Sequence, residues 1–228
     1  MKRIRIYLNL MAALLLLSFP ACRNHSALQT AMFPMKEGNY WSYHGKFNDM
    51  EGNLKIKVLL VRKEGNLTFA LMKGFPTDIM DGEEWQPSSW GLLAVGNGHY
   101  YKVSGERTDS ILKRLSNHED ALSGLVTDAD LFIETLSDTG QIFGEAAQLT
   151  RNDGSYYWKV TEKHAYEPSS IQELNLRGTF DRYTLTYKTT GDDVSMDFVP
   201  GIGIVRYRCC HHGTLAELDM KLVEAVIQ

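Results

Sequence analysis

Residues 54–58, Leu-Lys-Ile-Lys-Val, alternate apolar with charged side chains, and residues 67–71, Leu-Thr-Phe-Ala-Leu, follow after a Gly65-Asn66 pair. Successive side chains of a β-strand point to opposite faces of the sheet, so this alternation is typical of a strand with one covered face. Glycine next to asparagine is typical of the tight turn between two antiparallel strands. The stretch therefore predicts an antiparallel hairpin with one face in the core.

The same combination of turn signals and β-prone runs recurs along the rest of the chain. The further examples are Gly96–Gly98 ahead of 99–103, Asn152–Gly154 ahead of 155–160, and Thr190–Asp192 between 183–187 and 194–198. Aromatic and β-branched residues occupy alternate positions in these runs, as expected for half-covered strands. Because no internal repeat and no Pro/Gly/Ser linker divides it, residues 33–228 are predicted to form a single β-rich domain.

In two segments the spacing of the apolar residues fits a helix, or fits a helix and a strand equally well. Residues 108–126 place leucine and isoleucine at helical spacing, and Thr108 or Asp109 is suited to cap the start, so a short helix is predicted. Residues 215–227 fit both periods, and we favour a strand because the segment follows another strand through a turn at Gly213. The predicted fold is mostly β: a single antiparallel, curved sheet, half-barrel or sandwich, with one short helix.

The N-terminal segment has the pattern of a bacterial lipoprotein signal peptide. Three basic residues precede an apolar run from Ile6 to Phe19, and Ala21 stands directly before Cys22. The run is interrupted by Asn9 and is shorter than the roughly 20 apolar residues that span a bilayer, so we interpret it as a cleaved segment. We predict a signal peptide at 1–21, lipidation of the Cys22 thiol, and a tether to residue 32.

Two other interpretations of this segment stay open. Phe19 and Pro20 depart from the usual Leu-Ala-Gly-Cys type of lipidation motif, so an ordinary signal peptide cut near Ala21 is one alternative. A retained membrane helix is the other, and the short apolar run argues against it.

A lipidated Cys22 implies an address in the bacterial cell envelope, with acyl chains such as palmitate holding the protein in a membrane. Arg23 and Asn24 occupy the positions where an aspartate retains some lipoproteins at the inner membrane, so the periplasmic face of the outer membrane is favoured. The whole chain has 24 Lys+Arg against 28 Asp+Glu, and loss of the three basic residues of the signal peptide leaves a net charge of −7. This balance argues against nucleic acid as a partner.

The two ends of the mature chain carry a resemblance. Residues 33–43, Phe-Pro-Met-Lys-Glu-Gly-Asn-Tyr-Trp-Ser-Tyr, resemble the Pro-x-x-x-Gly-Asn-x-Trp-x-Tyr opening of a broad group of uncharacterised bacterial exported proteins and lipoproteins. Residues 198–207, which contain Pro-Gly-Ile-Gly, and the strand at Leu215-Ala216-Glu217-Leu218 are similar to the end of the same group. The resemblance implies a mostly β extracytoplasmic domain, and it brings no enzyme activity and no ligand.

Clusters of chemically active side chains are few. In a strand, Cys209-Cys210-His211-His212 would send alternate side chains to opposite faces, so at most two of the four could ligate one ion. The acidic stretch Asp78, Asp81, Glu83 and Glu84 does not have EF-hand spacing. His99, His118 and His164 each lie near a glutamate in sequence, which is weak evidence for a catalytic pair. We predict no catalytic residues, no metal and no cofactor.

Aromatic residues are the remaining candidates for a binding surface. They occur side by side on predicted strands: Tyr40, Trp41, Tyr43, Tyr100, Tyr101, Tyr156, Tyr157 and Trp158. Outward-facing rings on a curved sheet could line a groove for a hydrophobic ligand, although ordinary cross-strand pairing explains them equally. The favoured function is a non-enzymatic binding or assembly module with an envelope protein as its partner. The alternatives are a carrier of a lipid or other hydrophobic ligand and an envelope hydrolase with an unrecognised site.

Overall fold

The computed structural model describes residues 32–81, 88–96, 98–117, 130–214 and 216–228. Its twelve strands are β1 (Tyr40–Phe47), β2 (Met50–Glu64), β3 (Leu67–Lys73), β4 (Ser89–Val95), β5 (His99–Val103), β6 (Asp130–Ile133), β7 (Ile142–Phe143), β8 (Trp158–Tyr166), β9 (Phe180–Lys188), β10 (Asp192–Val199), β11 (Gly203–His211) and β12 (Ala216–Val226). They form one antiparallel sheet in the order β6-β5-β4-β3-β2-β1-β12-β11-β10-β9-β8-β7. The sheet curves until it nearly closes on itself.

The predicted fold class is confirmed, and the chain forms one curved sheet instead of two packed ones. The hairpin predicted at 54–71 is β2 and β3, and the ambiguous tail is strand β12. The prediction for 155–160 starts too early, because β8 begins at Trp158. Tyr156 has a φ of 65°, a turn conformation that a strand residue cannot adopt.

The predicted helix starts earlier than expected. Helix α1 (Gly105–Ser116) begins three residues before Thr108, and residues 118–129 lie outside the described part of the chain. Thr108 does not cap the helix, because its hydroxyl donates to the carbonyl of Ser104 from inside the first turn, at 2.9 Å. The helix buries Ile111 against Phe69 and Leu93, so it covers the outer face of β3 and β4.

The main core fills the inner face of the sheet. Every strand contributes buried apolar side chains to it, and the largest fully buried ones there are Trp41, Tyr43, Phe143, Phe198, Leu54, Met72, Leu92, Ile133 and Leu185. Burial of large aromatic and aliphatic side chains is the dominant stabilising term for such a fold. The described core residues of both clusters lie between Met32 and Ile227, so a chain without its first 21 residues keeps each of them.

The two resemblance motifs meet in this core. Gly38 has a φ of 86° in the turn before β1, a conformation that favours glycine. Trp41 donates its indole N–H to the carbonyl of Ile202 at 2.6 Å, and its ring lies 5.0 Å from that of Phe33. A Cβ at Gly203 would lie 3.2 Å from the Phe33 ring. The opening and closing motifs therefore pack against each other and have a structural role.

The long connection between β8 and β9 packs beside the last residues of β12. The backbone N–H of Gln172 donates to Val223 and its carbonyl accepts from Ala225, which adds a short parallel bridge beside β12. Ile171 of the same connection is buried in the main core. Within the described ranges, no helix is both long enough and apolar enough to cross a membrane.

Candidate functional site

The sheet has two terminal strands, β6 and β7, that face each other across a seam. Among the described strands they do not pair with each other, and residues 134–141 connect them. Gln141 fastens this connection, because its side-chain amide donates to Glu134 at 2.8 Å and accepts from the backbone N–H of Ser137 at 2.8 Å. These hydrogen bonds hold the segment that links the two edges of the seam.

A row of aromatic and aliphatic side chains borders one side of the seam. Phe143, Trp158, Tyr187, Val194 and Cys209 are successive cross-strand partners from β7 to β11. The Trp158 ring lies 6.5 Å from Phe143 in a stacked arrangement and 5.2 Å from Tyr187. Cross-strand pairs of this kind fix the orientation of the rings on the sheet.

The other side of the seam is an aromatic cluster from β3 to β6. Phe75 lies 6.2 Å from Phe132 and 6.0 Å from Tyr207 across the interior, in edge-on contacts. Asp78 holds Phe75 in place by accepting hydrogen bonds from the backbone N–H groups of Phe75 and Ser88, both at 2.8 Å. This carboxylate thus joins the two ends of the segment that carries Phe75.

Between the two sides lies a cavity of about 350 Å³, which we call the seam pocket. It is lined by Phe75, Lys102, Asp130, Leu131, Phe132, Gly144, Glu145, Gln148, Tyr156, Trp158, Tyr187, Val194 and Tyr207. Small-molecule sites are typically apolar clefts of about 300–1,000 Å³ with a few polar groups. The seam pocket has this composition and lies at the low end of this size range.

The charged groups of the seam pocket differ in their exposure. Lys102 is partly buried, and its ammonium lies 3.7 Å from the centre of the Phe75 ring. Burial lowers the pKa of Lys102, while the charges of Asp78 and Asp130 act in the opposite direction. Asp130 and Glu145 are exposed at the rim, so water screens their charges more than that of the lysine.

A second, larger concavity of about 580 Å³ lies on the opposite face of the sheet, across β9 to β12 and the end of β1. We call it the outer groove, and its polar lining is Lys46, Asn48, Thr186, Lys188, Asp193, Ser195, Arg208, Cys210, Glu217 and Asp219. Val194, Cys209 and Leu218 supply its apolar lining. Several of the polar side chains pair with one another. Arg208 donates to Ser195 at 3.0 Å, and Lys188 lies 3.7 Å from Asp193. The outer groove therefore carries paired polar side chains, whereas the aromatic rings lie in the seam pocket.

The ion pair of Asp219 with Arg206 beside the outer groove makes stability depend on pH. Arg206 donates to Asp219 at 2.8 Å and lowers the pKa of that carboxyl group. A lowered folded-state pKa stabilises the fold above the unfolded value of about 3.9, and this contribution is lost as the pH falls through the folded value. We expect Asp219→Asn to lower the free energy of unfolding by ~0.5–1 kcal/mol at pH 7, with the difference shrinking in acid. Urea unfolding at neutral and acidic pH measures it.

Glu217→Gln is the matched control for this substitution. Glu217 lies two residues away on β12, and its carboxylate forms no ion pair with a described cation. We expect its effect to be close to zero at both pH values. A deficit in Asp219→Asn that persists undiminished in acid would contradict the ion-pair explanation.

The Cys209-Cys210-His211-His212 segment alternates between faces as predicted. Cys209 is buried in the core and burial raises its thiol pKa, whereas Cys210 is half-buried in the outer groove. His211 Nδ1 lies 2.7 Å from Asp192, and His212 Nε2 lies 3.2 Å from Asp193. Each histidine thus pairs with one aspartate at the start of β10. No three potential metal-ligating side chains converge anywhere in the described residues.

The other polar candidates are dispersed. Asp78 has a structural role, and the remaining side chains of the acidic stretch lie outside the described set. His99 lies 3.8 Å from Glu134 at partly buried positions, and His164 lies 3.2 Å from Glu162 at exposed ones. His118 lies outside the described residues. Cys22 and the tether to residue 31 also lie outside the described range. The polar residues singled out in the sequence do not meet in one site.

The aromatic candidates do not form one surface, and Tyr40, Tyr101 and Tyr157 belong neither to the main core nor to the seam pocket. Trp41, Tyr43 and Tyr100 are buried in the core, and of the set only Tyr156 and Trp158 line the seam pocket. Sequence reasoning missed Phe75, Phe132, Tyr187 and Tyr207, as well as Lys102. Only the alternation of β9, which places Tyr183, Leu185 and Tyr187 on one face, pointed to any of them.

No protein-family model and no curated protein matches this chain. Similar solved structures include one from Bacteroides fragilis, described as a "putative exported protein with YmcC-like fold", at 9% identity over 86% of this chain and 99% of that chain, with a TM-score of 0.46. A second, described as a "putative lipoprotein" from Parabacteroides distasonis, is 12% identical over 86% of this chain and 99% of that chain, with a TM-score of 0.40. At this level of similarity they carry no argument about function.

Proposed function

We propose that this chain is a lipid-anchored protein of the bacterial cell envelope that binds a small apolar molecule in the seam pocket. The observation that supports binding is the seam pocket itself, a cavity of about 350 Å³ between the Phe75–Phe132 cluster and the Trp158–Tyr187 row. The interior of a protein normally packs to the density of an organic crystal. An open aromatic cavity beside a well-packed core therefore fits a binding site better than a defect in packing.

The energetics of the seam pocket favour an apolar guest. Burial of apolar surface contributes roughly 25 cal/mol per Å² removed from water, and each buried methylene contributes ~0.8 kcal/mol. The partly exposed rings of Trp158 and Tyr187 would lose their remaining contact with water when a ligand is bound. Binding would remove apolar surface of both the ligand and the pocket walls from water, so a ligand chain of several methylenes is sufficient for measurable affinity.

The proposed anchor is Cys22, with sorting to the periplasmic face of the outer membrane. The signal-like residues before Cys22 and the absence of an aspartate after it support this address. Residues 22–31 would extend at most about 35 Å, and the carbonyl of Met32 accepts a hydrogen bond from Gly201 at the entry to the core. Such a tether keeps the domain within about its own diameter of the membrane.

Titration of the mature chain 22–228, produced without its signal peptide, with 1-octanol tests the proposed binding. We expect saturable one-site binding, followed by calorimetry or by the rise in melting temperature that ligand binding causes. Val194→Phe is expected to abolish it, because Val194 lines the seam pocket and a larger side chain would occupy the cavity. Val194 also borders the outer groove, so the control is Ser195→Phe, at the neighbouring position that lines the outer groove and not the seam pocket; it is expected to leave binding unchanged.

Two results would contradict the proposed binding. One is the absence of saturable binding to the folded wild-type protein. The other is equal binding by the wild type and Val194→Phe, since the ligand would then lie outside the seam pocket.

A further inference from the structure

We propose that the molecule bound in the seam pocket is an apolar carboxylate, with Lys102 as the residue that receives its negative charge. This inference rests on the proposed function and specifies the ligand class of the same site. It follows from the position of Lys102 among aromatic side chains and from the solvent exposure of the acidic residues near it.

Lys102 places a positive charge in the apolar part of the seam pocket. It is partly buried on β5, its ammonium lies 3.7 Å from the centre of the Phe75 ring, and it forms no ion pair with a described carboxylate. A cation over an aromatic ring gains a modest stabilisation that increases as water is removed. Bringing a charge into such surroundings without a counter-ion is costly, so an anion placed beside it is stabilised.

The described acidic groups around the seam pocket do not serve as that counter-ion. Asp130 is the register partner of Lys102 on β6, yet it is exposed at the rim, and Glu145 is exposed on the opposite side of the seam. Asp78 and Asp130 are the two acids whose charges act on the lysine, and Asp78 already accepts hydrogen bonds from two backbone N–H groups and from the Ser88 hydroxyl. Asp78 and Asp130 thus favour the charged form of Lys102 without forming an ion pair with it.

The same geometry disfavours an amine as the ligand. An ammonium group in the seam pocket would lie close to the cation of Lys102, and only the rim acids, which water screens, would attract it. A carboxylate that accepts a charge-assisted hydrogen bond from Lys102 would be desolvated together with its partner, a setting in which such bonds are strongest. The ligand's apolar part would then pack against Phe132, Trp158 and Tyr187.

A matched series of eight-carbon probes tests this inference on the mature chain 22–228. Octanoate, 1-octanol and octylamine share one apolar chain and differ in the charge of the head group at neutral pH. We expect octanoate to bind about tenfold to a hundredfold more tightly than 1-octanol, and octylamine to bind more weakly than 1-octanol. Lys102→Met is expected to remove the preference for octanoate while 1-octanol still binds.

Lys159→Met is the matched control, because Lys159 is an exposed residue of β8 next to Trp158 and its loss changes the net charge equally. We expect it to retain the preference for octanoate. Octanoate binding no tighter than 1-octanol, or a preference that survives Lys102→Met, would overturn the carboxylate inference and leave the apolar site intact. If none of the probes binds the folded protein, the proposed function fails as well.

Discussion

In cells that express the Cys22→Ala variant, we expect the protein to be lost from the membrane fraction. The thiol of Cys22 is the proposed site of acylation, and two or three acyl chains hold a protein firmly in a bilayer because each buried methylene contributes ~0.8 kcal/mol. Removal of residues 1–21 would leave a net charge of −7, which does not favour attraction to an anionic lipid surface. Membrane fractionation followed by immunoblotting measures the change.

Cys210→Ala is the matched control for the anchor. It removes a thiol from the outer groove by the same substitution and should leave membrane association unchanged. An unprocessed Cys22→Ala protein would keep the apolar run from Ile6 to Phe19, so the mass of the N-terminal peptide is measured in parallel and only processed protein is compared. Membrane association of a processed Cys22→Ala protein at the wild-type level would refute the lipid anchor.

The Trp41→Ala variant is expected to lose ~3–5 kcal/mol of its free energy of unfolding, the usual cost of truncating a buried tryptophan or phenylalanine. Trp41 is fully buried, and its indole N–H donates to the carbonyl of Ile202 at 2.6 Å. Truncation would leave a cavity beside Phe33 and Gly203 and remove the partner of that carbonyl. Domains of this size have only ~5–15 kcal/mol of stability in total, so urea unfolding should shift strongly.

Two further variants separate the contributions of the Trp41 ring. Trp41→Phe keeps most of the apolar volume but leaves the Ile202 carbonyl without its donor, at an expected cost of ~1–3 kcal/mol. Trp158→Ala truncates a tryptophan that is only partly buried at the seam pocket, and its cost should be smaller than that of Trp41→Ala. If Trp41→Ala costs no more than Trp158→Ala, the two motifs do not form the centre of the core.

Much of the fold could be predicted from the sequence because strand alternation is a local signal. The alternation at 54–58 and the turn at Gly65-Asn66 identified β2 and β3, and the turn at Gly213 identified the tail as a strand. The start of α1 was missed because Gly105 is a poor helix former. Tertiary packing of Ile111 against Phe69 overrides that propensity.

The seam pocket could not be predicted in the same way, because residues far apart in sequence form it. Phe75 and Trp158 come from opposite sides of the seam, and their proximity depends on how far the sheet curves. Curvature is the sum of small twists between twelve strands and leaves no local pattern in the chain. The polar cluster visible in the sequence at residues 209–212 instead lies at the end of β11, beside the start of β10.

The most direct test of the central claim, that the inside of the seam holds an apolar ligand, is isotope-filtered NMR of the labelled mature chain 22–228 with 1-octanol. We expect nuclear Overhauser contacts from the octyl chain to the ring protons of Trp158 and Phe132 on the two sides of the seam. Contacts confined to exposed apolar residues such as Leu59 and Val223, or no contacts at a saturating concentration, would contradict it.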